Sequence, residues 1–158
     1  MRPRTLWWLA LVSLLASAAL VRGDAAAPDT PYMNGYDVAL VQLNQPAAVT
    51  LPNGQTATVQ QIHLIRLFGR FWNRSNDELT VLFGDEPFTG WRSFGSGVYL
   101  FVEQKPKLMS LAGRAIKYRF GSGPLISTAF KFEPSRFDLT TAAPLPQALE
   151  RPLIKPRP

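Results

Sequence analysis

Between residues 36 and 138 the chain is cut by glycine, proline and Asn-Gly into apolar-rich runs of seven or eight residues, most of them alternating apolar with polar side chains. A period of two puts one face of an extended segment inside and the other in water, so such runs fold as strands. The spacing predicts strands over 36–43, 78–84, 98–104, 114–120 and 125–132. In the run 114–120, for example, Ile116, Tyr118 and Phe120 alternate with Ala115, Lys117 and Arg119. Residues 47–59 read as a hairpin, because Asn53-Gly54 tolerates the positive φ of a type I′ turn between two β-prone arms.

One run breaks the pattern. In QIHLIRLFGRFWN, residues 61–73, Leu64-Ile65 and Leu67-Phe68 are adjacent apolar pairs. At 100° per residue the apolar side chains fill one arc, and His63, Arg66, Arg70 and Asn73 fall on the opposite stripe. This predicts an amphipathic helix, with residues 58–61 as a capping box. The expected fold is therefore mainly β (α+β), a small antiparallel sheet or sandwich with one amphipathic helix packed on it. The run 105–113 reads as irregular or a short turn.

The tetrapeptide FGSG occurs at residues 94–97 and again at 120–123. Each copy lies beside a strand, where glycine permits a tight turn, and the second falls between two alternating runs as a hairpin connection. The alternative is an anion-binding nest of backbone N–H groups, with Arg92 and Arg119 as charge partners. Neither copy continues into G-x-G-x-x-G or into a helix, and a P-loop sequence is absent.

The chain ends divide the molecule further. MRPR is followed by LWWLALVSLLASAALV, a 16-residue apolar stretch, and by small residues that suit cleavage after Ala18 or Gly23. These are the parts of a secretory signal peptide over 1–23. A retained signal anchor is the alternative, although a spanning helix needs about 20 apolar residues. Residues 24–35 read as a linker, 36–138 as a single β-rich domain and 139–158, with five prolines, as an extended tail or a surface strap. The expected location is extracytoplasmic, periplasmic or secreted, with no stable membrane span once the signal is removed. The chain has no cysteine. A domain of this kind must hold together by packing, without the disulfides on which small exported domains often depend.

Charge excludes less than its total suggests. The formal net charge is +6, but Arg2, Arg4, Arg22, Arg151, Lys155 and Arg157 lie near the ends, and residues 24–138 carry 11 basic against 10 acidic side chains, a net of +1. A concentrated basic footprint for nucleic acid is missing. A single histidine and no cysteine remove the usual zinc sets. Residues 73–78 place oxygen-bearing side chains at alternate positions but lack the glycine and terminal acid of a calcium loop. No serine sits in G-x-S-x-G, and no two carboxylates are marked as partners. No cofactor and no enzyme activity are expected.

Two patterns point to binding. His63, Arg66, Arg70 and Arg74 form a basic helical edge, followed by an acidic stretch and a second basic one that includes Arg119. EPFTGWRSF places Phe88, Trp91, Arg92 and Phe94 in an expected loop, and these residue types are enriched at interface centres; they could instead cap the core. The expected role is a non-enzymatic accessory or structural protein that binds another envelope or secreted protein. The alternative is a module for an anionic polymer or glycan. Asn73-Arg74-Ser75 is also a glycosylation sequon.

Overall fold

The computed structural model describes residues 31–51, 53–70, 78–94 and 97–146 of the chain. The expected signal peptide, the first part of the linker, the sequon with Arg74, and residues 147–158 lie outside the described residues. The described chain is mostly β-strand, with one short helix.

The first two strands dominate. Strand β1 spans Tyr32–Thr50 and β2 spans Thr56–Arg70, and they form one long antiparallel hairpin from Tyr32↔Arg70 to Thr50↔Thr56. Asn53-Gly54 sits at its tip as expected, but the turn type differs. The Gly54 N–H bonds the Leu51 carbonyl at 2.9 Å, the Leu51 N–H bonds the Gln55 carbonyl at 2.8 Å, and Gly54 has φ 80°. No described non-glycine residue has positive φ, so the tip is not type I′. One left-handed glycine closing a longer loop is the next commonest hairpin solution.

The expected helix over 61–73 is a correction. As far as residue 70 the segment is strand β2. Its neighbours are β1 on one side and β6, Val98–Val102, on the other, with His63↔Val102 and Leu67↔Val98 as the ends of the second ladder. A central strand buried on both faces carries apolar residues at both parities and loses its alternation. The α-helix among the described residues is α1, Lys105–Ser110, in the stretch expected to be irregular or a short turn. Pro106 suits its first turn, and Leu108 anchors it in the core.

Strands β3 (Leu79–Phe83), β4 (Glu86–Pro87), β5 (Trp91–Phe94), β7 (Ala115–Phe120), β8 (Ile126–Lys131) and β9 (Ala142–Pro144) complete two sheets. A five-stranded sheet has the order β5-β6-β2-β1-β9, and a four-stranded sheet the order β4-β3-β7-β8. All pairings are antiparallel except β1–β9. Part of the proline-rich tail thus becomes an edge strand, one of the few sheet positions where proline is tolerated.

Both FGSG copies lie between paired strands, β5–β6 and β7–β8. In the second, Gly121 has φ 53° and the Gly123 N–H returns to the Phe120 carbonyl at 2.9 Å. In the first, a Cβ on Gly97 would stand 2.7 Å from the Leu67 carbonyl oxygen. Close backbone approach accounts for that glycine.

The sheets stack on one main core. Val38, Ile65, Leu67, Val98, Leu100 and Val102 from the five-stranded sheet meet Leu79, Val81, Phe83, Ile116 and Tyr118 from the four-stranded sheet, with Leu108, Leu111 and Phe132 at one end. Tyr36 stitches the two sheets. Its hydroxyl donates to the Lys131 carbonyl and accepts from the Glu133 N–H, both at 2.8 Å, and its ring lies 5.6 Å from that of Phe132.

Candidate functional site: an apolar cleft on the outer face of the larger sheet

The five-stranded sheet is also apolar on the face turned away from its partner. Alternation sends Leu64 and Ile62 of β2 to the side opposite Ile65, and their ladder partners Ala39, Val41 and Phe101 go with them. Val41, Ile62, Leu64, Tyr99 and Phe101 form a second cluster, packed by Ala39, Leu43, Trp91 and Leu145. Leu64 is 0 % exposed, and Val41 and Phe101 1 % each, so this face is buried as deeply as the main core.

Beside that cluster the hairpin is broken. Gln42 pairs with Gln61, yet the next pair is Ala47↔Val59, so residues 43–46 stand against Gln60 alone. Pro46 lies in this insertion and has no N–H for a ladder. The amide Nε2 of Gln42 donates to the displaced Gln60 carbonyl at 3.0 Å, satisfying the group that the bulge orphans. Such a bulge bends its strand, and beside it lies a cleft of about 480 Å³. Its walls are Leu43, Ala47, Ala48, Val49 and Ile62 from the hairpin, Trp91 and Phe101 from β5 and β6, and Leu145 from the tail. Asn44 and Gln45 supply the polar side chains, and among the described residues no ionisable one lines it. Its volume falls within the range of ligand pockets, which are mostly apolar with a few polar groups.

The sequence-derived site residues do not form one surface. Of the aromatic–Arg set, Trp91 lines the cleft; it belongs to edge strand β5 rather than to a loop. Phe88 packs towards the main core, its ring 6.2 Å from that of Phe83. Arg92 donates from Nη1 to the Leu79 carbonyl at 2.5 Å, a bond that joins β5 to the start of β3. Phe94 ends β5 opposite Val98.

The basic residues separate for the same reason that the helix is a strand. His63 projects to the main-core face, whereas Arg66 and Arg70 share the other parity. Arg66 forms a two-pronged pair with Asp37, Nε to Oδ1 at 2.6 Å and Nη2 to Oδ2, and its guanidinium lies over the Phe68 ring. Arg70 stands opposite Tyr32 at the hairpin base, and Arg119 is exposed on β7 in the other sheet. Elsewhere Arg114 pairs with Glu86, and Lys117 Nζ with Asp85 Oδ1 at 2.8 Å. The arginine stripe that motivated a polyanion site is thus dispersed, and Arg66 within it is paired with a carboxylate.

His63 is 8 % exposed, and its Nδ1 has no hydrogen-bond partner among the described residues. Burial pushes its pKa below 6.5; a bond with the Val102 main chain opposes this, and Lys105 at the start of α1 adds to it. The unfolded chain therefore takes up the proton first as the pH falls. Stability is complete above about pH 6.5 and declines from there down to the lower folded pKa. Urea midpoints measured across this window should fall more for the native chain than for His63→Leu, which has no imidazole to titrate. Parallel curves would contradict this role for His63.

Among the described residues no group of three His, Asp or Glu is placed to hold a metal ion, and no helix is long and apolar enough to cross a membrane. Comparison with protein-family models, curated proteins and solved structures finds no match.

Proposed function

We propose that this protein is an extracytoplasmic, non-enzymatic accessory component that works by holding a partner protein, and that the apolar cleft beside Trp91 is where it does so. The observation that carries this reading is the cleft itself: a preformed apolar opening on a sheet face, walled by Trp91 and Phe101 and, among the described residues, free of ionisable groups. Catalysis needs a nucleophile, an acid–base group or a metal at the point of reaction, and the described wall supplies none of them. Trp is the residue type most enriched where a partner's group is desolvated. The basic start MRPR and the apolar stretch at residues 6–21 support export; without cysteine, packing alone holds the domain.

The test is partner capture after mild crosslinking in the native host, comparing the native chain with Trp91→Ala. Arg92 is left intact because its bond to Leu79 supports the fold. Capture should fall by at least about ten-fold, the effect of losing one interface anchor of ~1.4 kcal/mol or more, while the far-UV circular dichroism is unchanged. Capture retained in the folded variant would refute the assignment.

A further inference from the structure

The character of the cleft wall says more about what enters it. Trp91 and Phe101 contribute two flat rings, and the small residues Ala47, Ala48 and Val49 of the hairpin arm complete the wall. A charged group would leave its hydration shell here without meeting a counter-charge from the described wall, at a cost of several kcal/mol. Asn44 and Gln45, both exposed, offer neutral hydrogen-bonding groups at the bulge. About 480 Å³ is the size of a ligand site rather than a recess for one side chain.

We propose that the cleft takes an uncharged aliphatic chain, with a neutral polar end at Asn44 and Gln45, and that the partner of this protein is one that carries such a chain. The inference rests on the cleft being the contact site. Leu145 gives it a further consequence: this residue of the tail forms part of the wall, directly after β9. The parallel β1–β9 pairing, Leu40↔Ala142 to Gln42↔Pro144, fixes where the tail meets the cleft. Aliphatic burial is non-directional and proportional to area, so affinity follows chain length until the opening is filled.

The experiment uses the full chain and straight-chain hexanol, octanol and decanol as probes, titrated calorimetrically. Affinity is expected to rise about four-fold per added methylene and to level off once the cleft is full. Ala48→Trp, a substitution at an exposed position on the cleft wall, is expected to weaken decanol binding by at least about ten-fold, because the indole displaces more than two methylenes' worth of contact. Trp91→Phe keeps an aromatic wall and serves as the second variant: binding survives, but quenching of tryptophan emission by a brominated alcohol is reduced. Saturating decanol is expected to displace the captured partner.

Absence of saturable binding overturns the proposal, and so does binding that Ala48→Trp leaves unchanged. Binding that appears only in a Leu153→Asp, Ile154→Asp variant would identify the chain's own C-terminal segment as the occupant and would also overturn it. If partner capture depends on Trp91 yet no alcohol binds, the accessory role stands and the aliphatic-chain proposal falls. If alcohols bind and capture ignores Trp91, the accessory role falls, and with it the assignment of the chain to a partner.

Discussion

Leu64→Ala is expected to cost ~2–5 kcal/mol of folding stability, the range for a fully buried leucine, although its side chain points away from the second sheet. On a solvated sheet face the same change would stay within about 0.5 kcal/mol. The difference arises because Leu64 is 0 % exposed, held among Val41, Ile62, Tyr99 and Phe101. Urea denaturation of the variant beside Thr58→Ala, an exposed change on the same strand, reads the two cases directly. A cost near that of Thr58→Ala would mean that the outer face is not a packed layer. The cleft would then lose the firm floor on which its preformed shape depends.

Phe132→Ala is expected to cost ~3–5 kcal/mol. Phe132 follows β8, and its main chain is fixed by bonds to the Arg114 carbonyl at 2.8 Å and from the Gly113 N–H at 2.7 Å. Its ring lies 5.0 Å from that of Phe83 in a T-shaped arrangement and 5.6 Å from that of Tyr36, so it joins β3 of one sheet to β1 of the other. Edge-to-face pairs add ~0.5–1.5 kcal/mol beyond burial, so Phe132→Leu should recover most of the loss but not all. A chain without disulfides, drawing on a typical total of about 5–15 kcal/mol, has little reserve against such a cavity. Equal urea midpoints for Phe132→Ala and the native chain would contradict this reading of the core.

Strands β7 and β8 of the smaller sheet were legible because each alternates between a drier and a wetter face. In β7, Ile116 and Tyr118 are buried while Arg119 is exposed, and the alternation survives in the sequence. Strand β2 was not legible by periodicity, because both of its faces are dry from Ile62 to Ile65. Another signal was available. Asn53-Gly54 is a hairpin tip, and a strand running back to residue 36 needs an opposing arm of similar length, which reaches the high sixties. That arithmetic makes residues 61–70 a strand whatever their period.

The cleft was harder to foresee. It depends on the register break at residues 43–46, and the sequence mark of that break is Pro46 between two β-prone runs, which reads equally well as a loop. Trp91 was singled out for its residue type, but its cleft neighbours Phe101, Ile62 and Leu145 are scattered through the sequence and meet only when β5, β6, β2 and β9 share a sheet. The basic edge drawn through His63, Arg66 and Arg70 followed from a helical period. At a period of two, His63 parts from the arginines.

The measurement that tests the central claim most directly places a photo-activatable residue at position 48, on the cleft wall, and in a second chain at position 119, exposed on the opposite sheet. Irradiation in the native host is followed by identification of the crosslinked protein. The account predicts one reproducible partner adduct from position 48, lost when Trp91 is also replaced by alanine, and no such adduct from position 119. An adduct from position 119 that is absent from position 48 would place the working surface on the other sheet and contradict the account.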